Sequence, residues 1–226
     1  MPKCTDETVE FGRVGRRVVQ AAFDGGDIVS DGGVLLLKQV DERLGLTRAA
    51  ALAFGDDRRS ASVQHSVHSL LAQRIYGLCL GWSDVCDHNV LRNDLVLQTA
   101  VGRAESLASA PTLSRLETGA TPEHASALHE VLMQQFIDSH AKAPKELVLD
   151  VDATHVPLHG AQERGHFPAY YDNYCDLPLY VFAGQDLLAC VLRPSDRDPA
   201  SVVSALIKRL LVPLRRAWPK TKIIVR

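Results

Sequence analysis

The chain has 226 residues, of which 46% are hydrophobic and 23% are charged, and its formal net charge at pH 7 is −2. No run of about 18 uncharged apolar residues occurs, which excludes a helix that spans a membrane. The polar N-terminus lacks the apolar core of a signal peptide, so we expect a cytoplasmic protein with no membrane partner.

The five cysteines show no spacing typical of a cross-linked or metal-binding protein. They lie at positions 4, 79, 86, 175 and 190, and no C-x-x-C pair occurs. An odd number without paired spacing argues against a disulfide framework and a zinc ribbon. We expect reduced thiols that are mostly buried, because free cysteine is among the most buried residue types.

The first part of the chain has the apolar spacing of helices, from residue 28 to about 140. Apolar residues recur at intervals of three and four in Val34–Leu44 and again in Val63–Leu78. Another helix is predicted to begin at Pro122, because Thr121 suits the N-cap and proline suits the first helical position.

After Ala143 the pattern changes to that of β-strands. Strand composition covers Leu147–Val156, Leu177–Phe182 and Leu187–Leu192. The Gly184–Asp186 segment between the last two predicts a hairpin.

A further helix and strand complete the predicted order. The helix begins at Asp198-Pro199, and Pro213 is expected to end or kink it. Its apolar side is predicted to be Val202, Val203, Leu206, Leu210 and Leu211. Lys222–Arg226 begins another strand, and because a buried strand is a poor place for a natural terminus, we expect the sequence to be the N-terminal part of a longer protein.

The predicted class is therefore α+β with two domains. Residues 1–142 form a mostly helical N-terminal region, and residues 143–226 form an incomplete α/β core in the order strand, strand, strand, helix, strand.

Two carboxylates stand on the first predicted strand. Side chains alternate along a strand, so Asp150 and Asp152 share one face while Leu147 and Leu149 share the other. Burying such charges costs several kcal/mol unless they are paired, and magnesium or manganese suits hard oxygen ligands. Salt bridges to Arg193 or Arg197, or exposure at the edge of the sheet, are the alternatives.

Two enzyme classes use acids in this pattern. The D-x-D-x-T motif is that of haloacid-dehalogenase-type phosphatases, in which Asp150 would be the nucleophile and Asp152 the acid/base. That fold alternates helices with parallel strands, whereas here a hairpin is predicted. The predicted order is instead that of RNase H-like nucleases and integrases, in which three acids hold two metal ions.

Several stretches together resemble insertion-sequence transposases of the DDE type. They cover most of the chain: residues 23–26 and 30–37, Thr112–Glu117, Leu149–Thr154, His159–Glu163 and Tyr170–Tyr180. The resemblance implies that the chain is the N-terminal half of such a transposase, that residues 143–226 form a truncated RNase H-like catalytic core, and that residues 1–142 help bind the DNA ends.

The resemblance also implies a function and a site. Asp152 occupies the place of the first catalytic acid, and Asp150 is a possible substitute or partner; both are expected to bind Mg²⁺ or Mn²⁺. The remaining acids of the family would follow Arg226, so the isolated chain is expected to be inactive. The complete enzyme would be a nucleoid-associated homodimer that cuts DNA at terminal inverted repeats and joins the freed 3′ hydroxyl to target DNA.

The expected DNA contacts are basic residues from both regions: Arg13, Arg16, Arg17, Arg115, Lys208, Arg209, Arg215 and Arg216. The last four belong to a segment, 199–226, that contains no acid and supplies a local positive patch. Each of these side chains could equally be a solvated surface charge. A non-catalytic DNA-binding remnant is a third interpretation of the whole chain.

The aromatic and histidine residues near the first two strands allow further interpretations. Tyr170, Tyr171, Tyr174 and Tyr180 can stack on bases, although we favour packing against the second strand. His155, His159 and His166 with Cys175 have no second thiol nearby, so surface or hydrogen-bonded histidines are favoured over zinc ligands.

Overall fold

A computed structural model describes residues 8–22, 31–59, 63–160, 167–192 and 200–226. Several predicted features lie wholly or partly outside the described residues: Cys4, residues 23–30, His159–Glu163, His166, Arg193, Arg197 and the helix start at Asp198-Pro199. The chain forms two compact units, Met1–Ala127 and Leu128–Arg226. The assignment of DNA-end binding to residues 1–142 stays a prediction.

The first unit begins with a β-hairpin, which the sequence pattern did not predict. Strands β1 (Val9–Val14) and β2 (Arg17–Ala21) pair antiparallel. Six helices follow: α1 (Val34–Leu44), α2 (Leu46–Phe54), α3 (Val67–Cys79), α4 (His88–Leu91), α5 (Leu95–Val101) and α6 (Ala110–Thr118). Short 3-10 turns precede α1 and α4, at Asp31–Gly33 and Val85–Asp87.

Local capping explains where these helices begin and end. Gly45 separates α1 from α2 in the left-handed conformation, with φ 66°, and its N–H bonds to the Asp41 carbonyl. Helix α3 begins at Val67 because the Ser66 side chain accepts a hydrogen bond from the Ser69 N–H. Val63 therefore precedes the helix in which its spacing had placed it.

Helix α7 (Pro122–Asp138) begins at the predicted proline. Its most buried side chains are Met133 and Phe136, which join the core of the second unit. The prediction of this helix from Thr121-Pro122 is confirmed.

The second unit is built on a four-stranded sheet in the order β7-β6-β3-β8. Its elements are β3 (Glu146–Ala153), the two-residue strands β4 (Val156–Pro157) and β5 (Cys175–Asp176), β6 (Leu179–Ala183), β7 (Asp186–Val191), helix α8 (Ala200–Ala217) and β8 (Lys222–Val225). Strand β6 pairs antiparallel with both β3 and β7, whereas β8 pairs parallel with β3. The predicted α+β class is thus confirmed.

Helix α8 packs on one face of this sheet. Its buried residues are Ile207, Leu210 and Leu214, which share a core with Leu149 and Val181 of the strands. Of the predicted apolar side, Leu210 is buried and Val203, Leu206 and Leu211 pack against this core, whereas Ile207 and Leu214 were missed.

Two local predictions are wrong in part or in whole. Pro213 lies inside α8, which continues to Ala217, so the proline does not end the helix, and the alternative that it kinks the helix stays a prediction. The cysteines are not mostly buried: among those described, Cys79 and Cys86 are exposed, Cys190 is half-buried and Cys175 is buried. Within the described residues, no helix is long and apolar enough to cross a membrane.

Candidate carboxylate site and basic surfaces

Strand β3 places its two acids on the sheet face opposite the helix-covered core. Leu147 and Leu149 are buried, Asp150 is half-buried and Asp152 is exposed. The alternation follows the prediction, but the expected burial cost does not apply to Asp152 because the residue is exposed. Strand β3 lies between β6 and β8, and its register with β8 covers Glu146–Leu149, so Asp152 lies past these paired residues.

The Asp150 carboxylate is paired with Arg226 rather than free. Strand β8 brings Arg226 there: its N–H donates to the Leu149 carbonyl at 3.0 Å, and its carbonyl accepts from the Val151 N–H at 2.9 Å. The guanidinium Nε donates to Asp150 Oδ1, and Nη2 lies 3.4 Å from Oδ2. The hydrogen bond to Asp150 raises the pKa of Arg226. Sequence reasoning named Arg193 or Arg197 as partners, and these lie outside the described residues.

Aromatic side chains from β6 lie beside the two acids. In the antiparallel register, Asp152 is opposite Tyr180 and Asp150 is opposite Phe182, and these two rings have centroids 6.2 Å apart. Tyr180 is also opposite Cys190 of β7, and the electrostatic interaction and hydrogen bond with the Cys190 side chain raise the pKa of Tyr180. The half-buried Tyr180 therefore packs in the sheet, as predicted.

The donors near β3 suit a divalent cation in kind but not in number. A carboxylate oxygen is a ligand that Mg²⁺ or Mn²⁺ prefers, and Asp152 has its carboxylate exposed. Asp150 is already engaged by a guanidinium. No group of three His, Cys, Asp or Glu residues in the described part of the chain is arranged to hold a metal ion. The described residues therefore form no complete metal site, and the metal role of Asp150 and Asp152 stays a prediction.

The segment around β4 and β5 carries exposed aromatic rings. Tyr170 is 88% exposed and Tyr174 is 57% exposed, so the expected packing of these two rings against the second strand is wrong. His155 Nε2 lies 2.9 Å from Asn173 Oδ1, and its ring stacks on Tyr171 with centroids 4.3 Å apart. His155 is therefore a hydrogen-bonded histidine, in agreement with the favoured interpretation.

Three of the predicted DNA contacts lie together at the tip of the N-terminal hairpin. Arg13 lies in β1 close to the turn, Arg16 lies in the turn, and Arg17 is the first residue of β2. All three residues are exposed. The Arg17 side chain donates a long hydrogen bond of 3.5 Å from Nη2 to the Ala104 carbonyl. The tight turn thus concentrates three positive charges on one surface.

All four predicted DNA contacts of α8 are exposed, and two of them also bind other groups of the chain. Arg209 forms a salt bridge of 3.3 Å with Glu130, and Arg215 donates to the Thr221 carbonyl at 2.5 Å. Lys208 and Arg216 are exposed. Arg215 therefore helps hold the turn before β8, which gives it a structural role that the charge pattern did not indicate.

Arg115 of α6 lies on a separate cavity in the first unit. It is exposed, and its Nη2 donates to Thr112 Oγ1 at 3.1 Å. The same cavity is lined by Arg58 and His65, which sequence reasoning did not single out. These residues come from different elements, so no spacing in the sequence could have grouped them.

The comparisons with known proteins identify a family. Residues 11–226 match the model of a family described as transposase DDE domain group 1, which covers nearly the whole chain. No curated protein and no solved structure matched the chain.

Proposed function

The chain belongs to the transposase DDE domain group 1 family, and from this premise we propose that it forms part of an enzyme for cut-and-join transposition of an insertion sequence. The complete enzyme would cleave DNA at the terminal inverted repeats and join the freed 3′ hydroxyl to target DNA. The observation that carries the proposal is the position of Asp152 on a central strand of the sheet.

The sheet topology supports a nuclease-like core. Three antiparallel strands, a helix and a fourth strand parallel to the first give the order β7-β6-β3-β8, which is the arrangement expected of RNase H-like enzymes. In that arrangement the first acid stands on the first strand, here β3. Its parallel neighbour β8 brings Arg226 beside Asp150.

The two acids have different roles in this proposal. Asp152 is the carboxylate ligand for Mg²⁺ or Mn²⁺, and a metal bound there would stabilise charge on the phosphate that reacts. Asp150 orients Arg226 through the ion pair at the end of β8 and is a positioning residue. Asp152 is exposed to solvent, so a DNA strand has access to its carboxylate.

A phosphatase of the haloacid-dehalogenase type is not favoured. That mechanism needs Asp150 as a free nucleophile, and Asp150 is paired with Arg226. The strand that follows β3 in the main sheet is antiparallel to it, whereas the phosphatase fold places a helix and a parallel strand there. A non-catalytic DNA-binding role rests on the basic surfaces alone and makes no use of Asp152.

The metal role of Asp152 can be tested on the chain alone. Isothermal titration with Mn²⁺ should show weak binding that Asp152→Asn abolishes, because the substitution keeps the side-chain shape and removes the charge. Fe²⁺ with ascorbate should cleave the backbone near β3 in the parent chain and not in the variant.

Asp186→Asn is the matched control, since Asp186 is an exposed acid at the start of β7 in the same sheet. It should leave both results unchanged. Equal Mn²⁺ binding by the Asp152 variant and the parent chain would remove Asp152 from the metal role.

A further inference from the structure

A cavity of about 470 Å³ in the first unit collects basic groups from four parts of the chain. The basic residues that line it are Arg58, His65, Arg115 and His124. A cavity of this size admits a small ligand or a portion of a polymer backbone.

His65 is the buried member of the group. It is only 7% exposed, and its Nδ1 has no hydrogen-bond partner among the described residues. Burial first, and then the charges of Arg103, Arg92 and Arg58, lower the pKa of His65. Buried polar groups normally find a partner, so the unpaired Nδ1 of His65 indicates that a ligand belongs here. The guanidinium of Arg115 in the same lining favours an anion.

The acids near the cavity do not neutralise it. Asp56 is fully used by Arg58, whose Nε and Nη2 donate to its two oxygens at 2.6 and 2.7 Å. Asp57 is exposed, so water screens its charge. Arg115 has no salt bridge with any described residue, which leaves its guanidinium available to a ligand.

His124 adds a hydrogen-bond donor to the wall. Its ring stacks on Phe54 with centroids 4.1 Å apart, which fixes the ring plane. Its Nδ1 accepts a hydrogen bond from the Thr121 N–H at 3.0 Å. Because Nδ1 is an acceptor in this contact, the ring hydrogen lies on Nε2, which makes that atom a donor.

We propose that this cavity is a phosphate-binding site in which Arg115 supplies the free guanidinium and His65 and His124 supply donors beside it. Guanidinium groups bind phosphate oxygens through paired hydrogen bonds, and such charge-assisted bonds are the strong ones. If the ligand is a DNA backbone phosphate, the inference rests on the proposed function. If the ligand is a free phosphate compound, the inference does not depend on the proposed function.

The test measures DNA and pyrophosphate binding separately. Fluorescence anisotropy with a labelled 20-base-pair duplex would follow DNA, and isothermal titration with sodium pyrophosphate would follow the small anion. Arg115→Ala should weaken the binding of whichever probe occupies the cavity about tenfold, the usual effect of one charge-assisted hydrogen bond. For DNA, the slope of log Kd against log salt should fall by about one.

Arg43→Ala is the matched control, because Arg43 is an exposed arginine of α1 in the same unit that does not line the cavity. It should change either affinity less than twofold. Arg115→Lys should recover part of the lost affinity, since it keeps the charge but not the paired donors.

The outcomes separate this inference from the proposed function. If the parent chain binds DNA and the two alanine variants behave alike with both probes, the phosphate site is refuted and DNA binding stands. If pyrophosphate binds in an Arg115-dependent way while DNA does not bind at all, the phosphate site is supported with a free phosphate compound as its ligand, and DNA binding by this chain is refuted.

Discussion

Substituting Gly77 by alanine is expected to destabilise the first unit, although glycine is normally a weak residue inside a helix. Gly77 lies in α3, directly beside the His88 ring. A methyl group at this position would stand 2.7 Å from His88 Cε1 and 3.0 Å from Nε2. The ring would have to move for the alanine to fit.

The surrounding contacts oppose that movement. His88 is fully buried, and its Nδ1 lies 3.2 Å from Gln73 Nε2. Gln73 is itself held by two hydrogen bonds of 2.9 Å to the backbone of Ala108. Helix propensity favours alanine by up to about 1 kcal/mol, whereas overpacking a fixed core costs about 1–3 kcal/mol. The expected net loss is about 1–2 kcal/mol, or a Tm lower by about 2–8 °C.

Differential scanning calorimetry of the parent chain and four variants would test this reasoning. In a His88→Ala background the clash is removed, so Gly77→Ala should raise the Tm instead of lowering it. Gly77→Ser in the parent background should lower it at least as much as alanine does. An unchanged or higher Tm for Gly77→Ala alone would refute the claim that His88 is locked in place.

Three further perturbations test other parts of the structure. Burial lowers the pKa of His65 and His88, whereas the unfolded chain takes up protons on these rings near pH 6.5. The free energy of unfolding should therefore be highest above about pH 6.5 and should fall as the pH drops below that value. Urea midpoints measured between pH 7.5 and 5.5 would show this fall, and a flat profile would contradict it. Tyr76→Phe should cost about 2 kcal/mol, since the buried hydroxyl donates to Asp41 Oδ2 at 2.9 Å, and equal urea midpoints would rule this out. Leu149→Ala should lower the free energy of unfolding of the second unit by about 3 kcal/mol, because Leu149 is fully buried. A calorimetric result in which only the first unit is destabilised would contradict this.

The sequence predicted elements whose signals are local. Periodicity located α1, Thr121-Pro122 located the start of α7, and the glycine turn after Ala183 located the hairpin of β6 and β7. Alternation along Leu147–Thr154 correctly separated the buried leucines from the two acids. These features depend on side chains within a few residues of one another, which is why the sequence alone determined them.

Tertiary structure decided everything that depends on distant segments meeting. The parallel pairing of β8 with β3 brings Arg226 to Asp150, a contact between residues far apart in the chain, and this pairing leaves Asp152 as the exposed carboxylate. The cavity beside Arg115 likewise gathers basic groups from separate elements, with no common spacing. The spacing of charged residues in the sequence does not predict which of them meet. The position of a charged side chain in space follows from how the apolar faces pack and not from its neighbours in sequence.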